Sequence, residues 1–213
     1  MINHKIIGDS HHLLDHKERW GGILENPWVS KFQRSCLDGG RVGRLERTLK
    51  PYPFEDMLDL CCGLGEYARL SPKACIGIDN SLPHIDFARR HNRRATFILG
   101  DVLKVPFKDN SFDAVLLACA THHFSDENLV QVLGEMKRVA RRFLIIDDAV
   151  TSDQQNKLSR LLYSLDRGGI FRSIDEMDRI FATVPDIEPV SKSSFWSFPG
   201  LYQHAVFVFK KGA

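Results

Sequence analysis

The sequence predicts an α/β protein in which a mostly parallel sheet carries helices on both faces and closes with an antiparallel pair. Three observations predict it. Short apolar runs at 57–60, 74–78, 96–99, 112–118 and 142–148 alternate with segments of helical periodicity. The first run breaks into a glycine-bearing turn, Cys61-Cys62-Gly63-Leu64-Gly65, which feeds Glu66-Tyr67-Ala68-Arg69. The chain ends in two β-rich runs, 187–196 and 201–209, around Ser197-Phe198-Pro199-Gly200, the pattern of a long hairpin.

Composition narrows the function. The 213 residues with 43% hydrophobic content suit one domain with attached segments. Twenty-nine basic against 27 acidic residues leave +2 with no long charge run, so there is no electrostatic case for DNA, and a weaker one against RNA. No apolar run approaches a membrane span, and the first residues, MINHKIIGDSHH, lack the charged-then-apolar order of a signal peptide. Five cysteines, at 36, 61, 62, 75 and 119, are odd in number and fall mostly in strands, the usage of reduced core residues. Cys61 and Cys62 should face opposite ways, so no shared metal is expected. A cytoplasmic protein is the expectation.

The elements follow in order. Residues 1–50 are read as an N-terminal helical cap or lid segment, and 51–213 as the ligand-binding domain. His4, His11, His12 and His16 crowd the start without the helix motif of a metal site. Trp20, Ile23, Leu24, Trp28 and Phe32 form an apolar stripe interrupted at Asn26-Pro27. Pro51 and Pro53 punctuate the start of the first strand. A very short helix and Ser71-Pro72 lead to the second strand, after which Ser81 is expected to cap a helix through Ile85, Phe87 and Ala88. Residues 125–140 place Leu129, Val132, Leu133, Met136 and Val139 on one helical face. Residues 154–165 form a second amphipathic helix with Leu158, Leu161, Leu162 and Leu165 at helical spacing. Ser173-x-x-Glu176 is a capping box opening a third.

A strand that ends in glycines and feeds a helix presents bare backbone N–H groups to a ligand. The second strand ends on Asp79, where a carboxylate accepts hydrogen bonds from both ribose hydroxyls of a nucleoside. Gly100-Asp101-Val102 ends the third strand: a carboxylate there suits an exocyclic amine, and the next N–H a ring nitrogen, as in adenine. Asp113 opens the fourth strand, at the far end from this edge, and reads as a turn or capping residue.

The blocks MLDLCCGLG, GIDNS, GDV, VPFKDNSFD and the run after it resemble, in order and spacing, those of class I S-adenosylmethionine-dependent methyltransferases, and of the small-molecule branch in particular. Cys61 stands where the family's first glycine would be. The resemblance implies a seven-stranded Rossmann-like sheet of order 3-2-1-4-5-7-6 with strand seven antiparallel. It also implies that S-adenosylmethionine, and its product S-adenosylhomocysteine, are held by Asp59, Cys61, Gly63, Gly65, Asp79, Asn80, Asp101, Val102 and Ala118. N-terminal helices in this family close over the active site, which makes Trp20 and Trp28 candidates for substrate contact.

The acceptor is expected to be a small molecule, since no N-P-P-Y or D-P-P-Y tetrapeptide follows the fourth strand. Its proton would go to a base at the carboxyl ends of the fourth and fifth strands. His122, His123 and Asp148 lie there, His123 being the first choice for the base, with no metal required. Arg167 and Arg172, flanking Gly168-Gly169, are candidates to hold a substrate carboxylate or phosphate. A hydroxyl acceptor is the main reading. Amine or carbon acceptors, a non-catalytic cofactor-binding partner subunit and an NAD-linked oxidoreductase stay open, as does the choice between monomer and homodimer.

Overall fold

The computed structural model describes residues 40–165, 169–197 and 200–212. Its strands are β1 (Asp56–Leu60), β2 (Ala74–Asp79), β3 (Thr96–Leu99), β4 (Phe112–Ala118), β5 (Ala140–Ala149), β6 (Ile187–Trp196) and β7 (Gln203–Lys211). They form one seven-stranded sheet of order β3-β2-β1-β4-β5-β7-β6, the order expected. β1 to β5 run parallel, while β7 is antiparallel to both β5 and β6.

Strand periodicity divides the core in two. Leu58, Leu60, Val115, Leu117, Leu144, Ile146 and Phe207 face one way and meet α3 (Asp126–Val139) and α5 (Ile174–Phe181). Met57, Ala114, Leu116, Ile145, Val206 and Val208 face the other and meet α1 (Arg41–Leu49), the 3-10 turn Glu66–Leu70 and α2 (Leu82–His91). Both faces are covered, so the strands read as near-continuous apolar runs, each large side chain contributing about 1.5–3 kcal/mol on burial. Leu45 and Leu49 of α1 are part of this second core.

Local chemistry sets the helix ends. Ser125 Oγ accepts from the Asn128 N–H at the start of α3. Ser173 and Glu176 form the full capping box of α5, with Ser173 N donating to Glu176 Oε2 at 2.7 Å. Ser81 sits at the N-cap of α2, but its side chain makes no cap bond. Instead its N–H donates to Asp79 Oδ1 at 2.9 Å. Asp113 accepts from Glu55 N and Arg141 Nε, both at 3.0 Å, tying the amino ends of β1, β4 and β5 together far from the ligand edge.

One helix departs from expectation. α4 (Lys157–Leu165) starts three residues late, and Leu158, Leu161 and Leu165 are 54%, 53% and 66% exposed. Ser159 and Tyr163 are buried in their place. Ser159 Oγ donates to Leu201 O at 2.6 Å and Tyr163 Oη to Val150 O at 3.0 Å. Satisfying those backbone carbonyls fixes the rotation of the helix, and the leucine stripe goes outward. Among the described residues no helix is long and apolar enough to cross a membrane.

Candidate active site

The four strands β3, β2, β1 and β4 are neighbours, so the residues that follow their carboxyl ends share one edge: Gly100 to Val102, Asp79 to Ser81, Cys61 to Gly65, and Ala118 to Ala120. Asp59, Val102 and Ala118 are buried at 1%, 7% and 5% exposure, whereas Asn80 and Asp101 are exposed at the rim. The loop after β1 has three left-handed residues, Cys61 (φ 56°), Gly63 (φ 51°) and Gly65 (φ 76°). The loop is held by its own N–H groups, Cys62 N donating to Ile78 O and Gly65 N to Cys62 O, both at 2.9 Å, and its outer side is the candidate ligand cradle. Asp79 anchors it, Oδ2 accepting from Gly63 N at 2.8 Å. Asp101 Oδ1 accepts from Leu103 N at 2.9 Å, which holds the turn after β3.

The cradle is acidic. Burial pushes the Cys61 thiol well above the usual range, and the carboxylates of Asp79, Asp59, Asp101 and Asp148 raise it further, so four acids converge on this one side chain. Such a field favours a ligand carrying positive charge and disfavours a dinucleotide diphosphate. The acids present fit S-adenosylmethionine, whose sulfonium and ammonium carry positive charge.

Cys61 keeps the left-handed backbone of a glycine, a conformation that costs a side chain about 1–2 kcal/mol. Cys61→Gly is therefore expected to preserve the fold and to keep or tighten cofactor binding, as read by calorimetry. A large loss of affinity would mean that the thiol itself contacts the ligand.

The two histidines occupy a short 3-10 turn, Thr121–His123, just after β4. Of the pair it is His122, not His123, that meets Asp148: Nδ1 lies 2.8 Å from Oδ1. Asp148 also accepts from the Thr121 hydroxyl, from His122 N at 3.2 Å and from Ala149 N at 2.7 Å. Burial alone would raise its carboxyl, but the interaction with the His122 imidazole and the hydrogen bonds from His122 and Thr121 outweigh burial and hold it well below the usual carboxylate range. With Nδ1 bound to a fixed carboxylate, any proton transfer by this ring would fall to Nε2. The His122 ring stacks on Phe171 at 4.7 Å and touches His123, which is exposed, at 4.2 Å.

Arg172 is not placed for a substrate anion. It is 6% exposed and all five of its N–H donors have acceptors. Nε and Nη2 reach Asp126 Oδ1 at 3.0 and 2.6 Å, Nη1 the carbonyls of Thr121 and Ile170, and Nη2 that of Phe124. It clamps the turn carrying His122 against the start of α3. Arg172→Ala is expected to destabilise the protein by about 2–4 kcal/mol, leaving buried carbonyls unpaired, measured by urea unfolding. A change within experimental error would show that the clamp is dispensable. Trp20, Trp28 and Arg167 lie outside the described residues.

Neighbouring residues of one strand point to opposite faces, and β5 uses this at its end. Asp148 faces His122, while Asp147, fully buried, faces His204 of β7, whose Nδ1 is 3.1 Å from Oδ1. Tyr67 Oη stands 3.5 Å from Asp147 Oδ2 and 3.7 Å from Cys119 Sγ. Nothing in the sequence pattern singled out Tyr67, Cys119 or His204. The only signal was the doubled acid at the end of β5.

Sheet order, antiparallel β7 and the acidic cradle after β1 define a class, the Rossmann-like fold of class I methyltransferases. Residues 57–142 match a family model described as a methyltransferase domain. Among curated relatives, a demethylmenaquinone methyltransferase of Thermotoga maritima is 37% identical over 93 residues, covering 41% of this chain and 40% of that one. A probable tRNA methyltransferase 9B of Mus musculus is 35% identical over 121 residues, 55% of this chain and 26% of that one. The chain thus spans well under half the length of these relatives. The crystal structure of magnesium protoporphyrin IX methyltransferase from Synechocystis, with bound S-adenosylhomocysteine, superposes with a TM-score of 0.64 at 14% identity, covering 89% of this chain and 88% of that one.

Proposed function

We propose that the protein transfers the methyl group of S-adenosylmethionine to a hydroxyl of a small molecule, with His122 as general base. The observation that carries this reading is the His122–Asp148 pair, set at the carboxyl ends of β4 and β5 beside the cradle. S-Adenosylmethionine supplies an electrophilic methyl on a sulfonium, so the protein has only to place the acceptor in line and remove its proton. Asp79 would hold the ribose, Asp101 and the Val102 N–H the adenine, and Asp59 with the Gly63–Gly65 backbone the methionine end. Ala118, small and buried, leaves room beside the sulfonium. His122 takes the hydroxyl proton on Nε2 as the new O–C bond forms, and Asp148 stabilises the resulting imidazolium. Residues 1–39, the greater part of the segment read as a lid, lie outside the described residues.

The acidic cradle and the sheet order speak against the NAD-linked alternative, and the intact imidazole–carboxylate pair against a purely cofactor-binding subunit. The test is methyl incorporation from labelled S-adenosylmethionine across phenols, sugars, amines and tRNA. Transfer to a small hydroxyl compound supports the reading. Transfer to tRNA alone, or binding with no transfer to anything, overturns the small-molecule assignment. Asp79→Ala is expected to weaken S-adenosylmethionine and S-adenosylhomocysteine alike by about 1–3 kcal/mol, the worth of a hydrogen bond to a charged group. Calorimetry showing tight NAD binding and no sulfonium binding would overturn the cofactor assignment.

A further inference from the structure

On the face of β5 opposite the proposed base lies a second constellation that methyl transfer does not use. Cys119 directly follows β4, Asp147 is in β5 and His204 is in β7, so three adjacent strands each bring one donor. The thiol, one imidazole nitrogen and one carboxylate oxygen all lie within 4.8 Å of one another, the single cluster of this kind among the described residues. Asp147 is 0% and His204 1% exposed. Among the described residues the ionic partner of this buried carboxylate is the His204 imidazole alone. Burying a carboxylate this far from water is costly, and a bound cation offsets that cost.

The backbone adds an independent observation. Cys119 is not a glycine, yet it has a left-handed φ of 51°, with its N–H donating to the Asp147 carbonyl at 2.6 Å. A strained residue of this sort is held there by its surroundings and concentrates at functional positions. In this conformation Sγ stands 3.7 Å from Tyr67 Oη.

We propose that Cys119, Asp147 and His204 form a three-ligand site for one zinc ion, with the Tyr67 hydroxyl beside its fourth position. A mixed sulfur, nitrogen and oxygen donor set suits Zn2+ and excludes the all-oxygen cations Mg2+ and Ca2+. Tetrahedral zinc with bonds of about 2.0–2.3 Å needs the donors to close in slightly, which rotation of the half-exposed Cys119 side chain allows. Binding replaces the thiol proton, and any proton on the His204 nitrogen that takes the metal, and releases them to solvent with no change of oxidation state. The ion would join the ends of β4, β5 and β7 at the edge of the cleft, on the other side of β5 from His122. The inference stands on this geometry and not on the methyl-transfer reading.

The test uses the full-length protein, stripped with a chelator and titrated with Co2+ and then Zn2+. Expected are about one metal per chain and a near-ultraviolet thiolate-to-cobalt charge-transfer band that Zn2+ abolishes. Cys119→Ser should remove the band. His204→Gln should weaken binding by at least about 10–100-fold, the loss already typical of disturbing an outer-shell partner. His122→Ala should retain both the band and the stoichiometry, which separates this site from the proposed base. Absence of the band in the folded wild-type protein overturns the proposal. So does a band that persists in both Cys119→Ser and His204→Gln. Should Cys119→Ser fail to fold by circular dichroism, His204→Gln decides alone. Zinc binding in a protein with no methyl transfer would uphold this site while refuting the proposed function.

Discussion

Replacing His122 with alanine is expected to lower kcat by roughly 10²–10⁴, about 3–5 kcal/mol of barrier, while cofactor affinity barely changes. The size follows from what the side chain would do. A hydroxyl is a poor nucleophile until its proton has somewhere to go, and the imidazole beside the cradle is the group whose tautomer is held by a carboxylate at 2.8 Å. The cofactor contacts assigned to Asp79, Asp101 and the Gly63–Gly65 backbone involve no atom of His122, so binding should survive. Asp148→Asn should give a smaller loss, because the imidazole stays but its tautomer and charge lose their support. His123→Ala, at the exposed neighbour, should be nearly silent. Steady-state turnover and calorimetry on the three variants separate these outcomes. Near-normal turnover in His122→Ala would mean an acceptor that needs no base, namely an amine, thiol or carbanion, with the enzyme working by proximity alone.

Gly65→Ala should destabilise the fold by about 2–5 kcal/mol, a large part of the roughly 5–15 kcal/mol that holds a domain together. Two costs add. At φ 76° the backbone is left-handed, which charges any side chain about 1–2 kcal/mol. A β-carbon there would also sit 2.5 Å from Phe97 Cζ and 2.7 Å from Phe97 Cε1, inside van der Waals contact with a ring that is 2% exposed. Overpacking of this kind costs about 1–3 kcal/mol. Denaturant midpoints measure the sum. Adding Phe97→Leu should recover the steric part and leave the backbone part, which makes the two contributions separable. A single variant as stable as wild type would show that the ring yields freely and that the packing under the cradle is loose.

The parts of this protein legible in its sequence are those decided by near neighbours along the chain. Apolar runs of strand length located β1 to β4 closely. The glycine turn and Asp79 marked the cradle, and Ser173 with Glu176 announced the start of α5, because in each case the partner lies within a few residues or in the next strand. Sheet order was implied by the resemblance of the ordered motifs to class I methyltransferases, and the structure has it. What tertiary structure alone decided were matters of rotation and of long-range meeting. α4 turned its leucines outward because Ser159 and Tyr163 reached the carbonyls of Leu201 and Val150, 42 and 13 residues away. Arg172, read as a substrate anchor from its glycine-rich surroundings, was drawn inward by carbonyls of the turn after β4, 48 and 51 residues away. His122 and His123 are equivalent in sequence. The 3-10 turn pointed one at Asp148 and left the other at the surface. Asp147 and Asp148 are adjacent, yet strand geometry assigns them to opposite faces, and the antiparallel register of β7 carries His204 to Asp147 across 57 residues. Sequence spacing tells which residues share a face, but not the partner that another strand delivers to it.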